Sequence, residues 1–472
     1  MQTLTETPST ATEKQTVLLL NPPGDKKYFR DYYCTKVSKA HYYYHPVDLV
    51  YLSGTLSEAF PVAVIDAIAE SLTEEECRRR VEAIAPDVIL FLISSPSYNL
   101  DVPFITQLKQ TLPETRFIGT GDIYREFQDE ALEMHPFLDA ILLDFSTDDI
   151  ITYLQNGTGE VINNIIYRHG GEIVAGEEIH GNGNFRIPTP RWDLFPIDSY
   201  RFPFERRGKF ASILTDFGCA YSCTFCPIST LGFKLRPVAD VVAEIELLKS
   251  LGVRELFFRD QTFGVNKKRT LELCEALKPL NMSWTCFTRV DVLNEAIAKP
   301  MKEAGCHTIM FGIESADEEL LKKYEKNTQQ NQMLEAIALC KKYAIETVGT
   351  FILGLPGDTR ESTFKTLEFA KKLDLDFASF NIAVPRFGTA FRKDALANGW
   401  ASEEELVFES SASKPIWQNQ TLSNEEIFEI HQQVKRGFYL RPAYLLKRIF
   451  GIRTPHQFLN SLEGFYFLLF KK

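Results

Sequence analysis

The 472 residues contain no apolar run of about 18 residues, so no helix is expected to cross a membrane. The opening MQTLTETPSTATEKQT is polar and Thr-rich and lacks the apolar core of a signal peptide, so residues 1–15 read as a loose tail. There is no basic field either. With 52 Lys+Arg against 63 Asp+Glu the net charge is −11, the wrong sign for holding nucleic acid. Low-complexity tracts are absent, and 44% hydrophobic with 24% charged residues is the composition of an ordinary globular protein. Cysteine is scarce, at nine, and no export signal accompanies it. The expected location is therefore the reducing cytoplasm, where clustered thiols mean metal or catalysis rather than disulfides. Six of the nine (Cys34, Cys77, Cys274, Cys286, Cys306, Cys340) are scattered and read as buried or incidental thiols.

What is present begins with a βα alternation over residues 16–155. VLLLN, VAVID, VILFLIS, RFIGT and DAILL are short apolar strands separated by helical patterns, and Thr73 with Glu76 marks a helix start. Such a series predicts a doubly wound, Rossmann-like parallel sheet covered on both faces, with ligands over the carboxyl ends of its strands. Residues 156–200 carry a hairpin around GG and then the proline-rich RIPTPRWDLFPIDSY, read as a linker. A second series of six strand–helix repeats fills 201–400, starting at ASILTDFG; pattern alone leaves an open sheet and a partial barrel both standing. Residues 401–472 turn helical. Their apolar segments are open to two readings, a packed cap or a face that meets a membrane or a lipid-like substrate.

One short loop concentrates chemistry. FGCAYSCTFCP puts Cys219, Cys223 and Cys226 directly after the first strand of the second series, where a barrel or sheet displays its site. A structural zinc site wants four ligands, and no second Cys pair follows. A four-iron cluster held by three thiolates keeps one iron open for another molecule.

CAYSCTFCP resembles the signature loop of the radical S-adenosylmethionine enzymes, Cys-x₃-Cys-x₂-Cys with an aromatic, here Phe225, before the last cysteine. The likeness continues through FFRDQTFGVN, CFTRVD, FGIESADEELLKKYEKN and FILGLPGDT; PRFGT departs at Phe387 from the more usual Pro-x-Pro-Gly-Thr. The resemblance implies a partial (β/α)₆ barrel, a [4Fe-4S] cluster on the three cysteines, and S-adenosylmethionine chelated by the open iron and cleaved to a 5′-deoxyadenosyl radical. It implies S-adenosylmethionine contacts at Phe225, Asp260, Arg289, Glu314 and Gly354. The residues suit this unevenly. Glu314 is placed to accept from hydroxyls or an ammonium, or simply starts a helix. Arg289 offers a planar fork to a carboxylate, or a surface ion pair. Asp260 reads equally well as structural, and Gly354 as a turn glycine.

The N-terminal module followed by RIPTPRWDLFP and the barrel resembles, over about residues 16–400, the subgroup that also binds cobalamin. That implies corrinoid contacts at Pro22, Gly24, Asp66, Ser94, Ser95, Gly119 and Gly121. Where related domains carry Asp-x-His-x-x-Gly, this chain reads Asp66-Ala67-Ile68-Ala69-Glu70, so no histidine from this loop would ligate the cobalt. The Tyr-rich RDYYCTKVSKAHYYYHP, with His41 and His45, is expected between the domains, over substrate or as interface packing. The function implied is C-methylation of an unactivated carbon through methylcobalamin, in a radical enzyme served by an electron donor such as flavodoxin or ferredoxin. A cobalamin-dependent cyclisation or oxidative rearrangement is the first alternative, and an iron–sulfur or corrinoid sensor or electron carrier a distant one. The hydrophobic C-terminal region hints at a lipid, isoprenoid or tetrapyrrole substrate, and at peripheral membrane contact.

Overall fold

The computed structural model describes residues 15–31, 35–39, 42–157, 159–179, 183–407 and 419–451. The N-terminal tail, Cys34, His41 and the final HQFLNSLEGFYFLLFKK lie outside them. Strands β1 (Val17–Asn21), β2 (Val62–Asp66), β3 (Val88–Leu92), β4 (Arg116–Thr120) and β5 (Ala140–Leu142) form a parallel sheet, and β6 (Ile165–His169) and β7 (Glu172–Ala175) extend it antiparallel. The order is β2-β1-β3-β4-β5-β6-β7, so the topological switch point lies between β1 and β3. Both strands are buried along their whole length because the sheet is covered on both faces. Alternate residues feed two cores. Val17, Leu19, Val88 and Leu90 join a core shared with the second unit, and Leu18, Leu20, Ile89 and Phe91 a separate one. The hairpin around Gly170–Gly171 therefore belongs to this sheet rather than to the linker. Leu142 pairs with Ile165, and Ile165, Ile166 and Tyr167 are buried by covering an edge that β5 would otherwise expose.

Six strands build the second unit: β8 (Phe210–Ile213), β9 (Glu255–Phe258), β10 (Ser283–Thr288), β11 (Cys306–Glu314), β12 (Glu346–Leu353) and β13 (Phe377–Ile382). All are parallel and pair only with their neighbours in sequence, which makes a partial barrel with β8 and β13 as its edges. Along β13 Phe377, Ser379 and Asn381 keep partial exposure while Ala378, Phe380 and Ile382 are buried, as on a strand with packed helices on one face and an open interior on the other. The sequence run 211–218 does not stay one strand. It leaves the barrel after Ile213, and Asp216–Gly218 pairs antiparallel with Phe233–Leu235 in a small separate sheet. The break has a cause: the backbone N–H groups of Thr215 and Asp216 donate to the buried Asp260 carboxylate instead of to a ladder.

Both barrel edges are closed by side chains. On β8 the Ser212 N–H donates to His45 Nδ1 at 3.3 Å and the Leu214 N–H to the Tyr51 hydroxyl at 2.7 Å; Tyr51 sits on α1 (Val47–Ser57) of the first domain. On β13 the carbonyls of Asp376, Ala378 and Phe380 accept from Tyr444, Tyr439 and His431 respectively. Those three residues lie on α3 (Asn424–Tyr439) and α4 (Pro442–Gly451), so these helices are a packed cap. Burial holds His431 down at about 4, which keeps the imidazole neutral with Nε2 as donor. Lys39, from the Tyr-rich segment, also reaches the Phe380 carbonyl, at 2.9 Å. That segment thus lies between the domains, with Tyr44 edge-on to Phe257 and His45 packed on Tyr200, Trp192 and Phe210. Among the described residues no helix is long and apolar enough to cross a membrane.

The linker is fastened by a buried network. Trp192 is fully buried and donates to Glu244, on α2 (Val238–Ser250), at 2.9 Å; Arg236 donates to Glu244 at 2.7 Å and to the Leu214 carbonyl at 2.7 Å. Replacing Glu244→Ala leaves Arg236 buried without its counter-charge. The expected loss is about 3–5 kcal/mol of unfolding free energy, measured from urea midpoints. Stability also depends on pH through a buried carboxyl. Burial pushes Asp66 from its ordinary 3.8 up to about 6. Between those values the folded protein holds a proton that the unfolded chain has released, so this group lowers stability as pH rises through the window, and the loss is complete above about 6. Denaturation across pH should show wild type losing on the order of 2–3 kcal/mol relative to Asp66→Asn between about pH 4 and 7.

Candidate active site

The cysteine loop leaves the small sheet at Gly218, whose φ of 81° and whose contact with the Gly232 carbonyl leave no room for a side chain. Cys219 N–H then donates to the Gly232 carbonyl at 2.9 Å, and Thr224 N–H to the Tyr324 carbonyl at 3.1 Å. The Ser229 hydroxyl ties the Cys223 and Cys226 carbonyls together at 3.3 and 2.7 Å. Behind the loop, Asp260 accepts from both Thr215 groups and from Asp216 N–H, while Arg269 donates to the Thr215 carbonyl at 2.7 Å. Asp216 lies buried beside Asp260, and burial first, then that neighbouring carboxylate, pushes it well up.

In front of the loop lies a cavity of about 550 Å³ lined by Cys219, Tyr221, Arg289, Asp291, Glu325 and Lys326 among others. Burial pushes Cys226 up to about 12 and raises Cys223, the latter opposed by Lys326 and Arg289. Arg289 is held on every side. Its Nε and Nη2 meet the Asp291 carboxylate at 2.9 and 2.8 Å, and Nη2 also donates to the Lys326 carbonyl at 2.7 Å. The guanidinium lies 3.8 Å over the Tyr221 ring, and Nη1 donates to Cys223 Sγ at 3.6 Å. Glu314 ends β11 with a φ of 63°, a strained conformation for a residue with a side chain, just past a bulge in the pairing with β12. Its buried carboxylate, raised by burial, faces Lys326 Nζ at 3.3 Å. Gly312 gives that pair its room: a Cβ there would stand 2.5 Å from Glu314 Oε1 and 2.8 Å from Lys326 Nζ, so the two side-chain ends would have to shift.

The geometry sorts the expected residues. Arg289 lines the cavity with Cys219, and Glu314 meets it through Lys326, which also lines it. Asp260 turns its carboxylate to the loop backbone. Gly354 lies under Ile427 and donates to Asp358 at 2.9 Å, and Phe225 packs toward Tyr324 at 6.3 Å. Lys326, Tyr221, Asp291 and Gly312 were within the quoted motifs but carried no assignment. Lys326, twelve residues beyond Glu314, returns to it past the helix Glu318–Lys323 with a left-handed residue, Glu325, just before it.

At the carboxyl edge of the first sheet, Asp66 accepts from Asn21 at 2.9 Å, Ala69 N–H at 2.9 Å and the Tyr200 hydroxyl at 2.8 Å. The Pro22 carbonyl accepts from Arg30 at 2.8 Å, and Gly24 is exposed beside Tyr28. Ser94 and Ser97 hydroxyls meet at 2.9 Å, and Ser95 donates to the Leu406 carbonyl at 2.6 Å. Gly119 lies against the Tyr124 ring and Gly121, at φ 132°, under the Ile93 carbonyl. The crevice at the switch point is filled by Arg30, paired with Asp101 at 2.7 Å and bonded to Asn21 and Ser97.

The family model of the radical SAM superfamily matches residues 213–370. An uncharacterized methyltransferase of Pyrococcus horikoshii is 31% identical over 86% of this chain and 90% of its own. The chain belongs to the radical SAM superfamily. The anaerobic magnesium-protoporphyrin IX monomethyl ester cyclase of Rubrivivax gelatinosus is 24% identical over 85% of this chain and 74% of its own. Among solved structures, the radical S-adenosylmethionine methyltransferase TsrM of Kitasatospora setae, with cobalamin and a [4Fe-4S] cluster bound, shares the fold with a TM-score of 0.69, 17% identity and coverage of 91% and 90%.

The donor set fits the cluster of this superfamily. Cys219 lines the cavity and Cys223 Sγ meets Arg289 on its wall, while among the described residues no group of three or more His, Cys, Asp or Glu side chains is gathered for a single metal ion. Cys219, Cys223 and Cys226 are the residues that would hold it. Gly312→Ala forces a methyl onto the Glu314–Lys326 pair without touching the thiols. We expect S-adenosylmethionine affinity to fall at least about tenfold, ~1.4 kcal/mol by calorimetry, with iron and sulfide content unchanged.

Proposed function

We propose that the protein is a cobalamin-dependent radical enzyme that methylates an unactivated carbon of a small molecule. What carries this reading is the extent of the likeness to the Pyrococcus methyltransferase, which runs through the N-terminal sheet as well as the barrel. When bound, the cluster and S-adenosylmethionine supply a 5′-deoxyadenosyl radical for hydrogen abstraction, and cobalamin supplies the methyl group.

The chain's own part is to hold, orient and exclude water. Glu314 takes the ammonium of S-adenosylmethionine where it now meets Lys326, and Arg289 stands beside the cluster. Asp260 and Gly354 act at one remove, Asp260 by fixing the loop backbone and Gly354 by allowing the turn after β12, and Phe225 packs the loop onto the barrel. Pro22, Gly24, Asp66, Ser94, Ser95, Gly119 and Gly121 form the edge that would meet the corrinoid. The Tyr124 hydroxyl, on the ring packed against Gly119, supports this fit, because it is wholly buried and has no hydrogen-bond partner among the described residues. Ile68 stands where a ligating histidine would, and Asp66 is committed to Asn21 and Tyr200, which favours cobalt without a protein ligand below. Exposed Leu446 and Phe450 on α4 favour an apolar substrate such as a lipid, isoprenoid or tetrapyrrole, or contact with a membrane surface.

The Rubrivivax cyclase favours a second reading, cyclisation or oxidation with the same cofactors. One anaerobic incubation separates the two. Reconstituted protein is given S-adenosylmethionine, cobalamin, a flavodoxin or ferredoxin reductant and a metabolite extract, with Cys223→Ala as control. Methylation yields 5′-deoxyadenosine and S-adenosylhomocysteine together, both lost in the control. Deoxyadenosine without S-adenosylhomocysteine would replace methylation by the cyclase reading.

A further inference from the structure

An arginine at this position suggests a clamp for the carboxylate of S-adenosylmethionine, but its fork is taken. Asp291 holds Nε and Nη2, and Nη2 also serves the Lys326 carbonyl. Tyr221, between the first two cysteines, covers the guanidinium face at 3.8 Å. The remaining edge, Nη1, points at Cys223 Sγ at 3.6 Å. Arg289 is only 5% exposed, so its charge acts on that sulfur with little screening by water.

We propose that Arg289 tunes the cluster: its fixed charge and N–H···S bond raise the cluster's reduction potential, and Asp291 attenuates the effect. This rests on the cysteine loop holding a four-iron cluster, as read above. Donors to cluster sulfurs and nearby positive charge stabilise the reduced, more negative state, and so move the couple upward. The gain is a cluster that a moderately strong one-electron donor can reduce. Asp291 fixes the guanidinium in plane while cancelling part of its charge, so the two residues push the potential in opposite directions.

The test is a potentiometric titration of the reconstituted cluster without S-adenosylmethionine, followed by the electron paramagnetic resonance of the reduced state. Wild type, Arg289→Met, Arg289→Lys and Asp291→Asn are compared. Arg289→Met should lower the reduced-to-oxidised ratio at fixed potential at least about tenfold, a 59 mV shift for a one-electron couple. Arg289→Lys, which keeps the charge, should shift far less, and Asp291→Asn should shift upward. An unchanged midpoint in Arg289→Met, or Arg289→Met and Asp291→Asn moving the same way, overturns the proposal. If Arg289→Met assembles no cluster, Asp291→Asn decides alone: an upward shift supports the proposal and any other result overturns it. A wild-type protein that assembles no four-iron cluster by iron and sulfide analysis overturns the site reading, and the proposal with it.

Discussion

A six-stranded parallel sheet that curls without closing has two edges, each a row of backbone groups that must find partners or remain unpaired. That constraint organises this molecule. The β8 edge is completed by His45 and Tyr51, which belong to the N-terminal domain. The β13 edge is completed by His431, Tyr439 and Tyr444 of the C-terminal helices and by Lys39 of the interdomain segment. The barrel is therefore finished by what precedes and follows it in the chain, and neither flank is a detachable accessory.

The same constraint sets where chemistry can happen. The edge strand β8 leads directly into the cysteine loop, so the groups that cap β8 also fix the loop's starting point. Tyr51 takes the Leu214 N–H, Arg236 the Leu214 carbonyl, and Asp260 the next two N–H groups. Every backbone donor between the last barrel pair and the small sheet is thus assigned to a buried side chain. A loop anchored this way presents three thiols in a set arrangement before any ligand arrives, and preorganisation of this kind removes ordering costs from the bound state.

Much of this was legible in the sequence. Period and spacing located the strands of both sheets, because short apolar runs between helical patterns have few other solutions. The cysteine loop was legible because its ligand count is itself a chemical statement. Less visible were the side-chain caps. A tyrosine such as Tyr439 reads as core packing, and nothing local says that its hydroxyl completes a strand in another unit. The break after Ile213 was missed for the same reason: ASILTDFG is a good strand by pattern, and the carboxylate that interrupts it lies 45 residues away at Asp260. Gly312 and Lys326 were hidden by a different cause, a close approach of two charged groups over one glycine, which depends on a bulge that no propensity encodes.

The strain at Glu314 completes the argument. A glutamate with φ at 63° costs on the order of 1–3 kcal/mol, and its buried carboxylate adds a desolvation cost that one lysine only partly offsets. Packing does not require either. An aliphatic residue in a regular strand would serve the core better, and Gly312 would then be unnecessary. The arrangement is stable because β11 is held between β10 and β12 along most of its length, so the cost is confined to its last residues. What the strain secures is direction. The backbone turn at the end of β11 aims a carboxylate across Gly312 at the ammonium of Lys326, a residue that lines the cavity. That buried carboxylate–ammonium pair, held at the end of a central strand, is what the proposed contact of Glu314 with S-adenosylmethionine rests on.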